Sequence, residues 1–244
     1  MITGISGWAY ARGMEWWEGF FDEDYVRLWA AAGSFAETDR MVDDVEALLE
    51  VPARAGILDV ACGFGRVAGP LAGRGYRVTG IDFSADQLRL AEERNPGPEY
   101  VRTDMRTPPQ GPFDAVLNLF SSFGYFDDPA DDAAALAAWA RALRPDGVLV
   151  MELMHRDWLA RRYGQEPDQP GGVSQTGQTD WVTGVRTTTV SHGDVSKTFR
   201  IRLYTATDLV RLLRNAGFRQ VDAYGSLSRD DLSPDTRLVI RATR

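Results

Sequence analysis

An aspartate, an alanine and two glycines at two-residue steps hold most of the readable chemistry of this chain. They are Asp59, Ala61, Gly63 and Gly65, within Ile57-Leu58-Asp59-Val60-Ala61-Cys62-Gly63-Phe64-Gly65. The apolar run reads as a buried strand. The glycines read as a turn whose backbone can approach a ligand where a side chain would clash. A helix starting at Arg66 would then begin against that ligand. A dinucleotide site uses this geometry to bring a helix N-terminus to a pyrophosphate. Here the carboxylate at the strand end would repel a pyrophosphate, and it suits a ligand carrying an ammonium group.

Further segments follow at regular intervals. Tyr76-Arg77-Val78-Thr79-Gly80-Ile81-Asp82-Phe83-Ser84 reads as a second strand ending in an acid, and Thr103-Asp104-Met105 as the turn after a third. Phe113–Phe120 reads as a fourth strand, and Leu143-Arg144-Pro145-Asp146-Gly147 as the turn into a fifth. In this order the segments resemble the class I S-adenosylmethionine-dependent methyltransferases, over residues 15–160 and again from about 205. The resemblance implies S-adenosyl-L-methionine as cofactor. It places Asp82, with Phe83 and Ser84, at the ribose, and Asp104 and Met105 at the adenine. Asp59, Ala61, Gly63 and Gly65 fall around the methionine part, and Asn118, Leu119 and Phe120 close the set. Arg66 is either a partner for the methionine carboxylate, which a guanidinium contacts at two points, or a solvated helix residue. Tyr25 is assigned to the cofactor and to catalysis, closing over the methyl group with Trp16 or Trp17.

Gly63-Phe64-Gly65-Arg66-Val67-Ala68 also fits the G-x-G-x-x-G/A dinucleotide pattern, with Asp82 at a plausible distance for a ribose. An NAD-dependent oxidoreductase is therefore kept as an alternative, beside a non-catalytic cofactor-binding protein. Against the first stand the charge of Asp59 and an Asp104-Met105 turn that it leaves unexplained.

Methyl transfer from a sulfonium releases a neutral thioether, so holding two reactants in line and dry can suffice. A base matters only if the acceptor must lose a proton. No metal is expected. Ligands in such sheets bind beyond the C-terminal strand ends, which puts Ser122, Phe123, Tyr125, His155 and Arg156 on the acceptor side with Trp16. His155 is the candidate base, its pKa range suiting proton removal near neutrality; the competing reading is a surface or capping histidine. His192 reads as a turn residue and Cys62 as a small buried filler. Asp-Pro-Pro-Tyr, a motif of nucleic-acid and some protein amine methylation, is absent; Asn118-Leu119-Phe120-Ser121 occupies its place. The resemblance thus favours a small, secondary-metabolite acceptor, methylated on O or N.

The formal net charge of −8, with a single lysine (Lys197), argues against a nucleic-acid partner. One cysteine excludes an internal disulfide. No apolar stretch approaches the length of a membrane span, and a cytoplasmic protein is expected; a homo-oligomer is compatible.

These readings give an α/β fold: a Rossmann-like, doubly wound sheet, mostly parallel, with a C-terminal antiparallel hairpin, an N-terminal helical lid and a small antiparallel β insertion. The expected parts are a lid over 1–50, a cofactor-binding core over 51–160, an insertion over 161–204 and the rest of the core over 205–244. The first fourteen residues read as irregular and mobile, and Gly164 to Gly172 as a polar loop. Helices are expected at 15–32, 35–49, 65–73, 85–94, 130–143 and 207–216. Core strands are expected at 56–60, 77–81, 99–102, 113–119, 147–153, 218–224 and 236–243. Strands within the insertion are expected at 179–182, 185–191 and 196–204. Ser84 and Asp128 are expected helix caps.

Overall fold

A computed structural model describes residues 15–162 and 170–244. The first fourteen residues and most of the 164–172 loop lie outside the described residues.

Seven strands form one sheet in the order β3-β2-β1-β4-β5-β10-β9. They are β1 (Gly56–Val60), β2 (Arg77–Asp82), β3 (Glu99–Arg102), β4 (Phe113–Asn118), β5 (Leu143–Leu153), β9 (Gln220–Tyr224) and β10 (Leu238–Thr243). β1 runs parallel to β2 and β4, and β4 to β5, while β10 is antiparallel to both β5 and β9. Every residue of β1 is buried, as a parallel strand covered on both faces requires. Leu58 and Val60 point into one core with Trp139, Leu209 and Leu213; Ile57 points into the other with Val42, Val45 and Leu71. The first core takes α5 (Pro129–Ala142) and α7 (Ala206–Asn215); the second takes α2 (Thr38–Leu49) and α3 (Ala68–Gly73). The doubly wound sheet with its reversed hairpin is as expected. The chain leaves β1 in opposite directions toward β2 and β4, so a crevice opens at their C-terminal ends.

Local chemistry sets the element boundaries. Ser84 caps α4 (Ala85–Arg94) by accepting the Gln87 N–H at 3.2 Å, and Asp128 caps α5 through Ala130 N–H at 2.8 Å. The helix expected over 15–32 is two pieces. A 3₁₀ turn spans Trp16–Gly19, and α1 (Glu23–Ala31) restarts where Asp22 accepts the Tyr25 N–H at 3.1 Å. A short helix not anticipated from sequence, α6 (Arg156–Arg161), follows β5.

A separate antiparallel sheet contains β6 (Ser174–Thr179), β7 (Val185–His192) and β8 (Val195–Arg202). The strand expected at 179–182 is instead a turn. Asp180 ends β6 because its carboxylate accepts the Val182 and Thr183 N–H groups at 2.8 and 3.3 Å, a local bond that competes with a ladder. Among the described residues no helix is long and apolar enough to cross a membrane.

The insertion is fastened to the core by a buried ion pair. Asp132 of α5 is fully buried and accepts from Arg202 at 3.1 Å and from the Tyr204 hydroxyl at 2.6 Å. Arg202 also donates to the carbonyls of Phe126 and Asp127 at 3.0 and 2.9 Å. Burial pushes the Asp132 carboxyl up to about 6 even with these partners. Arg202→Met would strand this carboxylate, and we expect a loss of about 3–5 kcal/mol at pH 7. The deficit should shrink at pH 5, where Asp132 takes up a proton and the buried charge disappears. Urea unfolding at the two pH values checks both statements; equal deficits would show that the lost packing, and not the charge, matters.

Candidate active site

Three neighbouring cavities occupy the crevice, and Tyr25 lines all of them. The first, about 690 Å³, lies against Ala61, Gly63, Asp82, Phe83, Asp104 and Met105. The second, about 480 Å³, lies against Asp59, Gly63, Arg66, Leu119 and Phe120. The third, about 1080 Å³, is walled by Tyr125, Ser121, Met154, Trp158, Arg237 and, from the insertion, Phe199.

The glycine turn is built around one carboxylate. Asp82 accepts the Gly63 N–H on one oxygen and the Ser84 N–H on the other, both at 2.9 Å. Burial raises its pKa, and these backbone donors pull it back. Ala61 and Gly63 stand at φ 56° and 55°, a left-handed conformation unfavourable for alanine. Gly65 shares the left-handed conformation at φ 75°, and a Cβ there would also collide with the Tyr100 hydroxyl of β3.

Asp59 is only 4% exposed and accepts no hydrogen bond from a described residue. Burial pushes its carboxyl up to about 7, with Arg66 opposing the shift and Asp82 adding to it. An acid held out of water beside an open cavity wants a cation or ammonium there. Arg66 lies 4.8 Å over the Phe120 ring and 5.3 Å over that of Phe35, and donates to Thr38 at 3.2 Å. It lines the second cavity and is not a solvated helix residue. Asp59 and Arg66 together offer one negative and one positive group, which fits the ammonium and carboxylate of an amino acid. Burial raises the phenol of Tyr25 well above its ordinary range and the thiol of Cys62 likewise.

The structure separates the residues expected at the site into those that line it and those that support it. Tyr25, Asp59, Ala61, Gly63, Arg66, Asp82, Phe83, Asp104, Met105, Leu119, Phe120, Ser122 and Tyr125 line a cavity. Ser122 faces the first two cavities and not the third, so it sits on the cofactor side. Gly65 and Ser84 line none of the three; Ser84 caps α4 and donates to the Phe21 carbonyl at 2.5 Å. Asn118 is fully buried and donates to the Val60 and Ser122 carbonyls at 3.2 and 3.0 Å, joining the ends of β1 and β4 from beneath.

Four acceptor-side expectations are corrected. His155 is 2% exposed and lines no cavity; its Nε2 lies 3.1 Å from the Thr236 carbonyl, where it donates, fastening α6 to the loop before β10. Arg156 donates to the Trp181 carbonyl and lies over that ring at 5.8 Å, holding the β6–β7 turn. Phe123 is core, against Trp139 and Tyr204. Trp16 donates to the Tyr125 carbonyl at 3.1 Å, and it is Trp17 that reaches the first cavity.

Ser121 and Met154, which open the two segments expected on the acceptor side, line the third cavity, while residues missed by the sequence reading include Gln87, Trp158, Phe199 and Arg237. Gln87 carried a signal, a polar side chain on the inner face of α4. Phe199 and Ile201 alternate along β8 and so share one face. Nothing local marked Arg237.

The chain is similar to known methyltransferases. A family described as a methyltransferase domain matches residues 57–147. The dTDP-3-amino-3,6-dideoxy-alpha-D-glucopyranose N,N-dimethyltransferase of Streptomyces fradiae is 39% identical over 123 residues, 49% of this chain and 48% of that protein. The chain spans about half the length of the curated relatives it matches. Among solved structures, the CcbJ methyltransferase from Streptomyces caelestis superposes with a TM-score of 0.73 at 17% identity, over 85% of this chain and 89% of that one, a likeness of fold. CalS10 from Micromonospora echinaspora, an amino pentose methyltransferase solved with S-adenosylmethionine bound, gives 0.66 at 25% identity over 93% and 99%. The dinucleotide alternative finds no support in these likenesses, nor in a crevice whose mouth is anionic.

A carboxyl raised to about 7 favours the folded chain while it is protonated, and loses that contribution as pH climbs from about 4 through about 7. Asp59→Asn should therefore stabilise the ligand-free protein at pH 8 by on the order of 2–4 kcal/mol, with the gain vanishing near pH 4. Chemical unfolding of both proteins across that range is the measurement. A variant no more stable than the wild type at pH 8 would mean that Asp59 is not strained by its burial.

Proposed function

We propose that this chain is a class I S-adenosylmethionine-dependent methyltransferase and that it methylates a nitrogen of a small-molecule acceptor. The observation that carries this reading is the meeting of three cavities at Tyr25. A nucleoside, an amino acid and an acceptor each find a chemically matched wall, and the three walls converge on one phenol. When bound, S-adenosylmethionine supplies a methyl group on a positively charged sulfur that leaves as a neutral thioether.

The chain's own residues then bind, orient and exclude water. Asp82, with both oxygens already holding the glycine turn and α4 in place, faces the ribose region. Asp104 is fixed by a two-point pair with Arg106 at 2.6 and 3.0 Å, and it borders the adenine region with Met105. Asp59 takes the ammonium and Arg66 the carboxylate of the methionine part. Tyr25 stays protonated, so its hydroxyl can turn a lone pair toward a polarised methyl group and cannot act as a base.

Nitrogen is preferred over oxygen for a stated reason. Among the described residues lining the third cavity there is no Asp, Glu, His or Lys, so none of these residues offers a base near neutrality. A neutral amine needs none before it attacks. The Streptomyces fradiae relative, named as an amino-sugar N,N-dimethyltransferase, points the same way.

The N-terminal segment acts in this reading as a lid. Ser84 and Gln87 donate to the carbonyls of Phe21 and Asp22 at 2.5 and 3.1 Å, and Lys197 of the insertion holds the Asp22 carboxylate at 2.7 Å. These bonds set the start of α1 and so the position of Tyr25. The insertion supplies the outer wall for the acceptor.

Two measurements test the proposal. S-adenosylhomocysteine should bind about tenfold more tightly at pH 8 than at pH 6, because Asp59 must be ionised to hold the ammonium. The dependence should flatten in Asp59→Asn, as read by titration calorimetry. Asp82→Ala should weaken the same binding by about 1–3 kcal/mol, and unchanged affinity would remove Asp82 from the site. Radiolabelled methyl transfer to amines but not to alcohols in a matched library is the expected activity, and the reverse preference would overturn the nitrogen assignment.

A further inference from the structure

Ser121 tells more about the acceptor than its place in the wall does. Its hydroxyl oxygen accepts the Met154 backbone N–H at 2.8 Å and an Arg237 N–H at 2.7 Å. Both partners are donors only, so both lone pairs of the hydroxyl are taken and its hydrogen must be given to something else. No described residue receives it. The residue lines the third cavity beside Tyr25 and Phe120.

This polarity is enforced by a clamp. Arg237 is held by one oxygen of Glu152, whose other oxygen accepts the Phe120 N–H at 2.9 Å. The Glu152 carbonyl accepts the Ser121 N–H at 2.9 Å. Phe120 and Ser121 both stand at φ 59°. Two consecutive left-handed residues without glycine are unfavourable alone and persist only where their surroundings over-determine them. Glu152 and Arg237 supply that surrounding, and the outcome is one hydroxyl whose hydrogen is free for a ligand.

We propose that Ser121 is a specificity-determining hydrogen-bond donor, and that it selects amines carrying an oxygen acceptor, such as a ring ether or hydroxyl, over purely hydrocarbon amines. The inference rests on the methyl-transfer reading above and deepens it. An oxygen placed against Ser121 satisfies the donor when the cavity closes; a hydrocarbon leaves it unpaired, at a cost of about tenfold in kcat/KM.

The test uses three amines as probes: trans-2-aminocyclohexanol, 4-aminotetrahydropyran and cyclohexylamine. Their kcat/KM values are measured with wild type, Ser121→Gly and Ser121→Ala. Glycine adopts φ 59° without strain, so that variant removes the hydroxyl while relaxing the loop. The wild type should prefer at least one oxygenated amine over cyclohexylamine by about tenfold, and both variants should bring the ratio to within about twofold. The cyclohexylamine value should rise in both variants, because the donor that a hydrocarbon strands is gone. A preference that survives in both variants overturns the proposal. So does a loss that falls equally on all three amines together with a lowered Tm, which would make Ser121 a structural residue. Failure of a wild type that binds S-adenosylhomocysteine to methylate any of the three also overturns it. A wild type that does not bind S-adenosylhomocysteine at all would bring down the methyl-transfer reading first, and this inference with it.

Discussion

Two carboxylates, Asp59 and Asp82, are held out of water at the mouth of one parallel sheet, and much of the molecule serves to make that tolerable. Asp82 adds to the cost of ionising Asp59, since a like charge at close range disfavours ionisation and burial removes the screening of solvent. Asp82 is compensated from within, by the N–H groups of Gly63 and Ser84. Asp59 has no such partner and is left for a ligand to neutralise. The asymmetry leaves one acid fixed by backbone donors and the other without a hydrogen-bond partner among the described residues.

The second constraint is convergence. Residues from α1, the ends of β1, β2, β4 and β5, and the inserted sheet meet around Tyr25, although they lie up to about 180 positions apart in the chain. Such a meeting needs fasteners at a distance from the chemistry. The Asp132–Arg202–Tyr204 cluster ties the insertion to α5 and to the loop after β4. Lys197 ties the same insertion to the cap of α1. His155, which looked like a reagent, is another fastener, joining α6 to the loop before β10. Left-handed backbone without glycine occurs in the cavity walls at Ala61 and at Phe120–Ser121, and also at Glu50, Arg54, Asp146 and Arg229, which line none of the three cavities.

Much of this was legible in the amino-acid order alone. The buried strand, the acid before the glycines, the acid ending β2 and the Asp104-Met105 turn carried the family resemblance, and the structure brings these segments together along one side of the crevice. Alternation and capping gave all seven core strands and most helices to within a few residues. What was misread had non-local causes. The 179–182 run has β-rich composition, yet Asp180 turns it. Gly65 and Asn118 sit in a ligand motif, yet one is demanded by Tyr100 and the other by the Val60 and Ser122 carbonyls.

The acceptor half was decided by tertiary structure. His155 follows β5 as a base should, but its direction was set by Thr236, which lies 81 positions away. Ser121 is unremarkable in sequence and acquires its fixed polarity only when Met154 and Arg237 converge on it. The chain by itself determined which fold and which cofactor chemistry it could carry, since strand pattern, glycine turns and acid placement are local properties of the backbone. Which side chains face the second substrate was left to packing, because a cavity wall is assembled from whichever residues the closed sheet, the lid and the insertion bring to one place.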